Sequence, residues 1–129
     1  MHTEPLDQQV IGSLSAELGD PATFARLVRL YLDRLSDRLE NVVNAEDAAA
    51  MAAAAHSLKS ASGTFGAAIV ADIAGQLEAI GERGEEAPAP LIDGMLDAAE
   101  DARRALTQLV ADAEAEADVE ADNAPDDAG

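Results

Sequence analysis

His56 and Lys59 are the residues of this chain whose types and spacing point most directly to chemistry. A neutral imidazole is a good nucleophile near physiological pH, and an ammonium beside it can neutralise charge on a transferred phosphoryl group. On a helix, residues three, four and seven positions after His56 share its face, and these are Lys59, Ser60 and Gly63; Ala49, Ala52 and Ala53 extend that face backwards. The pair is therefore ringed by very small side chains, which lets the backbone of another protein come close. Lys59 is the only lysine, every other cation being arginine. A flexible, strongly hydrated point charge suits a phosphoryl oxygen that comes and goes, where an arginine fork would hold it more rigidly. Spacing alone leaves a second reading open, in which His56 is an incidental polar residue and Lys59 belongs to an ordinary solvated face.

The element that must position this pair is a helix from about residue 46 to 63 or 66, entered through the acidic break at Asn44 to Asp47. Its apolar seam is Met51, Ala55, Leu58, Ser62 and Phe65, spaced four, three, four and three. His56 is one step past Ala55, about 100° round the helix, so one ring edge can reach solvent. A short helix precedes it, with Pro5 at a first helical position, Leu6, Val10, Leu14 and Leu18 at helical spacing, and Gly19 as its stop. Asp20-Pro21 then reads as N-cap and first residue of a long helix with the stripe Phe24, Leu27, Val28, Tyr31, Leu35, Leu39 and Val42. A helix over 67 to 80 presents Val70, Ile73, Leu77 and Ile80, closed by Gly81 and Gly84. The last begins near Pro90 and carries Ile92, Met95, Leu96, Ala99, Ala102, Leu106, Leu109 and Val110 inward. No period-two alternation argues for strands. The expected fold is all-α: an antiparallel up-down-up-down four-helix bundle with a short extra N-terminal helix.

Composition supports this. The chain has 129 residues and 48% hydrophobic content, enough for one compact domain, but only 2% aromatics, so its core must be built from small and aliphatic side chains. Close-packed helices suit that core better than a sheet, which wants β-branched and aromatic residues. Absence of cysteine excludes disulfides and thiolate metal sites. A net charge of -18 argues against nucleic acid or an anionic membrane as partner, since both require clustered Lys and Arg. No segment approaches a membrane span, and the N-terminus lacks the pattern of a secretory signal, so a cytoplasmic protein is expected. From Asp112 onward there are eight acidic residues and no basic one. That asymmetry divides the chain into a domain over 1–111 and a disordered acidic tail over 112–129.

Specificity comes from a longer string. His56-Ser57-Leu58-Lys59-Ser60-Ala61-Ser62-Gly63-Thr64-Phe65-Gly66-Ala67 resembles the central motif of histidine-containing phosphotransfer (HPt) domains. That family's pattern is His, any residue, Leu, Lys, then Gly or another small residue, with Gly-Ala ten and eleven positions after the His. The resemblance implies that His56 is the phosphoacceptor, that Lys59 stabilises the phosphoryl group, and that Gly66-Ala67 marks the turn into the next helix. Ser60 stands where Gly is commonest. Leu77-Glu78 matches a Leu-Glu or Leu-Gln pair on the family's third bundle helix, which makes Glu78 the candidate orienter of His56, with Gln76 a weaker substitute. Accepting a hydrogen bond from Nδ1–H would fix the tautomer that leaves Nε2 free to attack. Ala52, Ala53, Ser60, Gly63 and Gly66 form the expected docking surface for the receiver domains of response regulators or of a hybrid histidine kinase.

The resemblance also implies no resident cofactor, with Mg²⁺ expected only in the partner receiver domain. There is no Gly-x-x-x-x-Gly-Lys-Ser/Thr segment and no Gly-rich kinase loop, so the chain is expected to be a carrier without its own kinase activity. Competing readings are a helical adaptor that binds a receiver without carrying phosphate, a metal-binding bundle, and a fragment of a larger kinase. The metal bundle needs a Glu three residues before His56, where Ala53 is found. His2, at the terminus, is assigned no role, and structural zinc is not expected with one internal His and no Cys. A Met start and a disordered acidic tail fit a free-standing protein better than a fragment, and a monomer is expected.

Overall fold

A computed structural model describes residues 4–123, with side chains to residue 121. His2 and residues 124–129 lie outside the described residues. Five helices run in the order α1 (Gln8–Leu18), α2 (Pro21–Val43), α3 (Ala48–Thr64), α4 (Ala68–Glu82) and α5 (Ala89–Asn123), and there is no strand among the described residues.

Aspartates begin three of the helices. Asp7 accepts from the amides of Gln9 and Val10, Asp20 from that of Ala22 and from the Thr23 hydroxyl, and Asp47 from that of Ala50. Each satisfies amides that the helix itself leaves free. The first helix therefore starts after Asp7 and not at Pro5, and α3 starts after Asp47, two residues later than the acidic break suggested. Gly19 ends α1 in the left-handed region at φ 66°, as its position in the sequence indicated.

Helix α3 packs on α4, α4 on α5, α5 on α2 and α2 on α3, so the four longer helices close on one another in a ring, with α1 resting against α2. Leu35 of α2, Leu58 of α3, Leu77 of α4, and Met95 and Leu106 of α5 are all fully buried at the centre. Burying each such side chain contributes on the order of 1.5–3 kcal/mol.

Three stripes differ from the expected ones. On α1 the buried residue is Ile11, while Val10, Leu14 and Leu18 are only half-buried and Leu6 precedes the helix. On α4 the buried line is Val70, Ala74, Leu77 and Gly81, while Ile73 and Ile80 are only half-buried at its edge. Gly81 is not a helix stop. It lies inside α4, where a Cβ would stand 2.6 Å from the Ala48 carbonyl oxygen and 2.9 Å from the Ala52 methyl, so its bare backbone is what lets α3 and α4 approach this closely. On α5, Leu96 turns outward and is 40% exposed, because Met95, Ala98, Ala99 and Ala102 take the inward positions.

The acidic segment is the larger correction. Helix α5 continues through Asn123, so residues 112–123 are helical and not a disordered tail. Alanine alternating with Glu and Asp propagates readily once the preceding turns are packed and the nucleation cost is met. Ala113 is buried against the core, and Glu114 accepts from the Arg29 guanidinium of α2, which fixes one further turn.

Candidate functional site

His56 sits midway along α3, one residue past the buried Ala55 and two before the buried Leu58. Its side chain is 64% exposed, as a ring on the flank of the helix should be. From the neighbouring α4, Glu78 projects towards it, next to the buried Leu77 in sequence. The Glu78 Oε2 atom is 2.5 Å from His56 Nδ1, and its other oxygen, Oε1, accepts from Lys59 Nζ at 2.9 Å. Thus one carboxylate, only 15% exposed, bridges the imidazole and the ammonium.

The electrostatics follow from that bridge. The Lys59 ammonium first, and the His56 ring after it, hold the Glu78 carboxyl below the ordinary carboxylate range, against the partial desolvation that opposes them. An ionised Glu78 is an acceptor only. It therefore accepts a hydrogen bond from Nδ1–H of His56, the tautomer that leaves the Nε2 lone pair available on an exposed ring. The arrangement offers a nucleophilic nitrogen, a cation one helical turn away, and a carboxylate that orients both.

The floor around His56 is open. Ala53, Ser60 and Gly63 are exposed, and nothing lies within 4 Å of a Cβ built on Gly63. Two residues expected on this docking face are elsewhere. Ala52 is half-buried against Gly81 of α4, because the close α3–α4 approach requires a small residue there. Gly66 is buried in the turn between α3 and α4 at φ 73°; its carbonyl accepts from the Asp7 amide at 2.7 Å, and a Cβ there would press on Ile11 at 3.2 Å. Gly66 serves the α1 junction and the turn, not a partner surface. Gln76 is exposed, and the contact to His56 is made by Glu78.

Sequence reasoning missed the support on the inner side of α3. Ser62 is fully buried and its hydroxyl pairs with that of Tyr31 at 2.8 Å, the Tyr31 ring packing in turn on Phe65 with centroids 5.2 Å apart. Ser62 was legible as a seam residue, but its partner lies 31 residues away on α2 and no local pattern announces it. This pair ties the C-terminal half of α3, the helix that carries His56, to α2.

A sequence model of the Hpt domain family matches residues 26–121. No curated protein matches the chain. Among solved structures, the chain is similar to the crystal structure of histidine-containing phosphotransfer protein B (HptB) from Pseudomonas aeruginosa PAO1, with 28% sequence identity and a TM-score of 0.76, over 84% of this chain and 96% of that one.

Proposed function

The chain belongs to the Hpt domain family and is a histidine phosphotransfer protein of phosphorelays, and from that premise we propose that His56 carries the phosphoryl group on Nε2. The observation that carries this reading is the 2.5 Å contact of His56 Nδ1 with Glu78 on an otherwise exposed ring. The Nε2 lone pair attacks the phosphorus of an aspartyl phosphate on a receiver domain. The bond from phosphorus to the aspartyl oxygen breaks as the N–P bond forms, and the carboxylate leaves with the electron pair. His56 keeps its Nδ1 proton throughout, and the positive charge that develops on the ring is stabilised by Glu78. Return of the phosphoryl group to a second receiver aspartate is the same step reversed.

Lys59 lies one helical turn beyond His56 and neutralises charge on the transferred oxygens. Phosphoryl transfer passes through a loose transition state, so alignment and charge neutralisation are most of the work. Ala53, Ser60 and Gly63 form the floor on which a receiver settles. Mg²⁺ belongs to that receiver, and this chain supplies no cofactor of its own.

Hpt proteins are phosphocarriers that interact with receiver domains and histidine kinases; this chain acts without kinase activity of its own. The ring of helices is an antiparallel up-down-up-down bundle with α1 as its extra helix. No helix among the described residues is long and apolar enough to cross a membrane, and the protein works in the cytoplasm as a monomer without a nucleic-acid partner. The test is incubation with a phosphorylated receiver, comparing the wild type with His56→Gln. Wild type should take label and the variant should not. Equal labelling of both, or labelling of neither across a panel of receivers, would leave only the adaptor reading.

A further inference from the structure

Gly75 is an unexplained cost in α4. Glycine is the poorest helix former after proline, and Gly75 stands in the helix interior. Its backbone does not require it, because φ is positive only at Gly19, Gly66 and Gly84 among the described residues. Close approach of another backbone does not require it either, in contrast to Gly81. Beyond the backbone of α4 itself, the one atom within 4 Å of a Cβ built at Gly75 is Cδ of Lys59, at 3.4 Å, so a methyl there would just touch the stem and a larger side chain would displace it. Gly75 precedes Glu78 by three residues, so the two share a face of α4. The Lys59 stem therefore lies along bare backbone at position 75 while its Nζ reaches Glu78 Oε1.

From this geometry we propose that Gly75 is a positioning residue for phosphoryl transfer: its missing side chain leaves the trough in which the Lys59 stem lies, holding the ammonium beside Glu78 and His56. The proposal rests on the reading of Lys59 as the cation that meets the phosphoryl group. Long side chains lie along apolar surface while keeping their charged heads in water, and the surface offered decides where the head is held. A branched side chain at position 75 fills the trough, lifts the stem and lets the ammonium move into solvent. Position 75 is only half-buried and a Cβ there meets nothing of another helix but the Lys59 stem, so a substitution touches that stem before any buried contact between helices.

The size series Gly75→Ala and Gly75→Leu tests it on the full chain. Both variants replace glycine with a strong helix former, so thermal stability should hold or rise. Label acceptance from a phosphorylated receiver should nevertheless fall with side-chain size, by on the order of tenfold or more for Gly75→Leu, the loss of one charge-assisted contact. The Glu78 carboxyl titration, read by NMR on the unphosphorylated protein, should move up towards the ordinary carboxylate range in the same variant. Gly75→Leu added to Lys59→Ala should cost little beyond Lys59→Ala alone. An unmoved Glu78 titration in Gly75→Leu would overturn the proposal, as would a further large loss in the double variant, which would mean that the leucine obstructs docking. A wild type that takes no label would overturn the carrier reading instead, while the Glu78 titration would still report where Lys59 is held.

Discussion

Glu78 of α4 and His56 of α3 meet through Oε2 and Nδ1 at 2.5 Å, so the imidazole is held by a helix other than its own. Because the second oxygen of the same carboxylate holds Lys59, one side chain ties the imidazole and the ammonium together. Removing Lys59 and removing Glu78 should then have different signatures. Lys59→Ala should slow label acceptance on the order of ten- to hundredfold, as expected for losing a charged hydrogen bond to the transferred group. Glu78→Ala should cost less, about tenfold, since the ring can still sample the productive orientation. Glu78→Gln should fall between Glu78→Ala and wild type, because an amide oxygen still accepts from Nδ1 but cannot balance the ring charge. Quench-flow measurement of phosphoryl transfer checks the order, and a Glu78→Ala loss exceeding that of Lys59→Ala would mean that the roles are reversed.

The titration of Glu78 gives a pH test. Its carboxyl is held below the ordinary value of 4.5, first by Lys59 and then by His56. A group with a lowered folded-state pKa contributes stability that is present above the unfolded value and lost as pH falls through the folded one. The contribution from this bridge should therefore be complete at neutral pH and disappear only on acidification below about 4.5. In Lys59→Ala the carboxyl midpoint, followed by carbon-detected NMR, should rise towards the ordinary value.

Tyr31 supplies an alkaline counterpart, and as the only tyrosine in a chain without tryptophan it has its own optical signal. Burial raises its pKa above 10.0, and the hydrogen bond with Ser62 partly opposes that shift. A raised folded-state value means stability that is present below the unfolded pKa and lost as pH rises through the folded one. Tyrosinate absorbance in the native protein should appear at higher pH than in the denatured chain. Ser62→Ala should push it higher still and should destabilise the protein by about 1–3 kcal/mol in urea, because it strands a buried hydroxyl.

Two glycines on the α3–α4 pair should respond to alanine with opposite signs. At Gly81 the new methyl would meet the Ala48 carbonyl at 2.6 Å, forcing the helices apart at a cost of about 1–3 kcal/mol. At Gly63 nothing lies within 4 Å, so the same change should stabilise the helix by up to about 1 kcal/mol. Chemical denaturation of Gly81→Ala and Gly63→Ala checks both. Equal effects would mean that helix propensity, and not the α3–α4 approach, governs these positions.

Much of this was legible in the sequence because it is local. Asp20-Pro21 announced α2, and the seam through Met51, Ala55, Leu58 and Ser62 placed His56 on an exposed flank. The string from His56 to Ala67 carried the family resemblance, which the Hpt domain model over residues 26–121 bears out. The misread features depend on what crosses between helices. Gly81 looked like a stop because its contact is the α3 backbone, and Gly66 looked like a partner surface although it is covered by α1. Residues 112–123 looked like a tail because their charge pattern hides a helix continued from a packed segment and held by Ala113 and Glu114. The Tyr31–Ser62 pair has no local signature at all.

The central claim is a phosphoryl group on Nε2 of His56, and nitrogen–phosphorus coupling in the NMR spectrum of the ¹⁵N-labelled, receiver-phosphorylated protein reads it directly. The prediction is a single phosphoramidate, lost in acid and stable in base, with phosphorus coupled to Nε2 of His56 while Nδ1 keeps its proton. Phosphorus coupled to Nδ1, or phosphate found on a carboxylate or hydroxyl side chain, would contradict it.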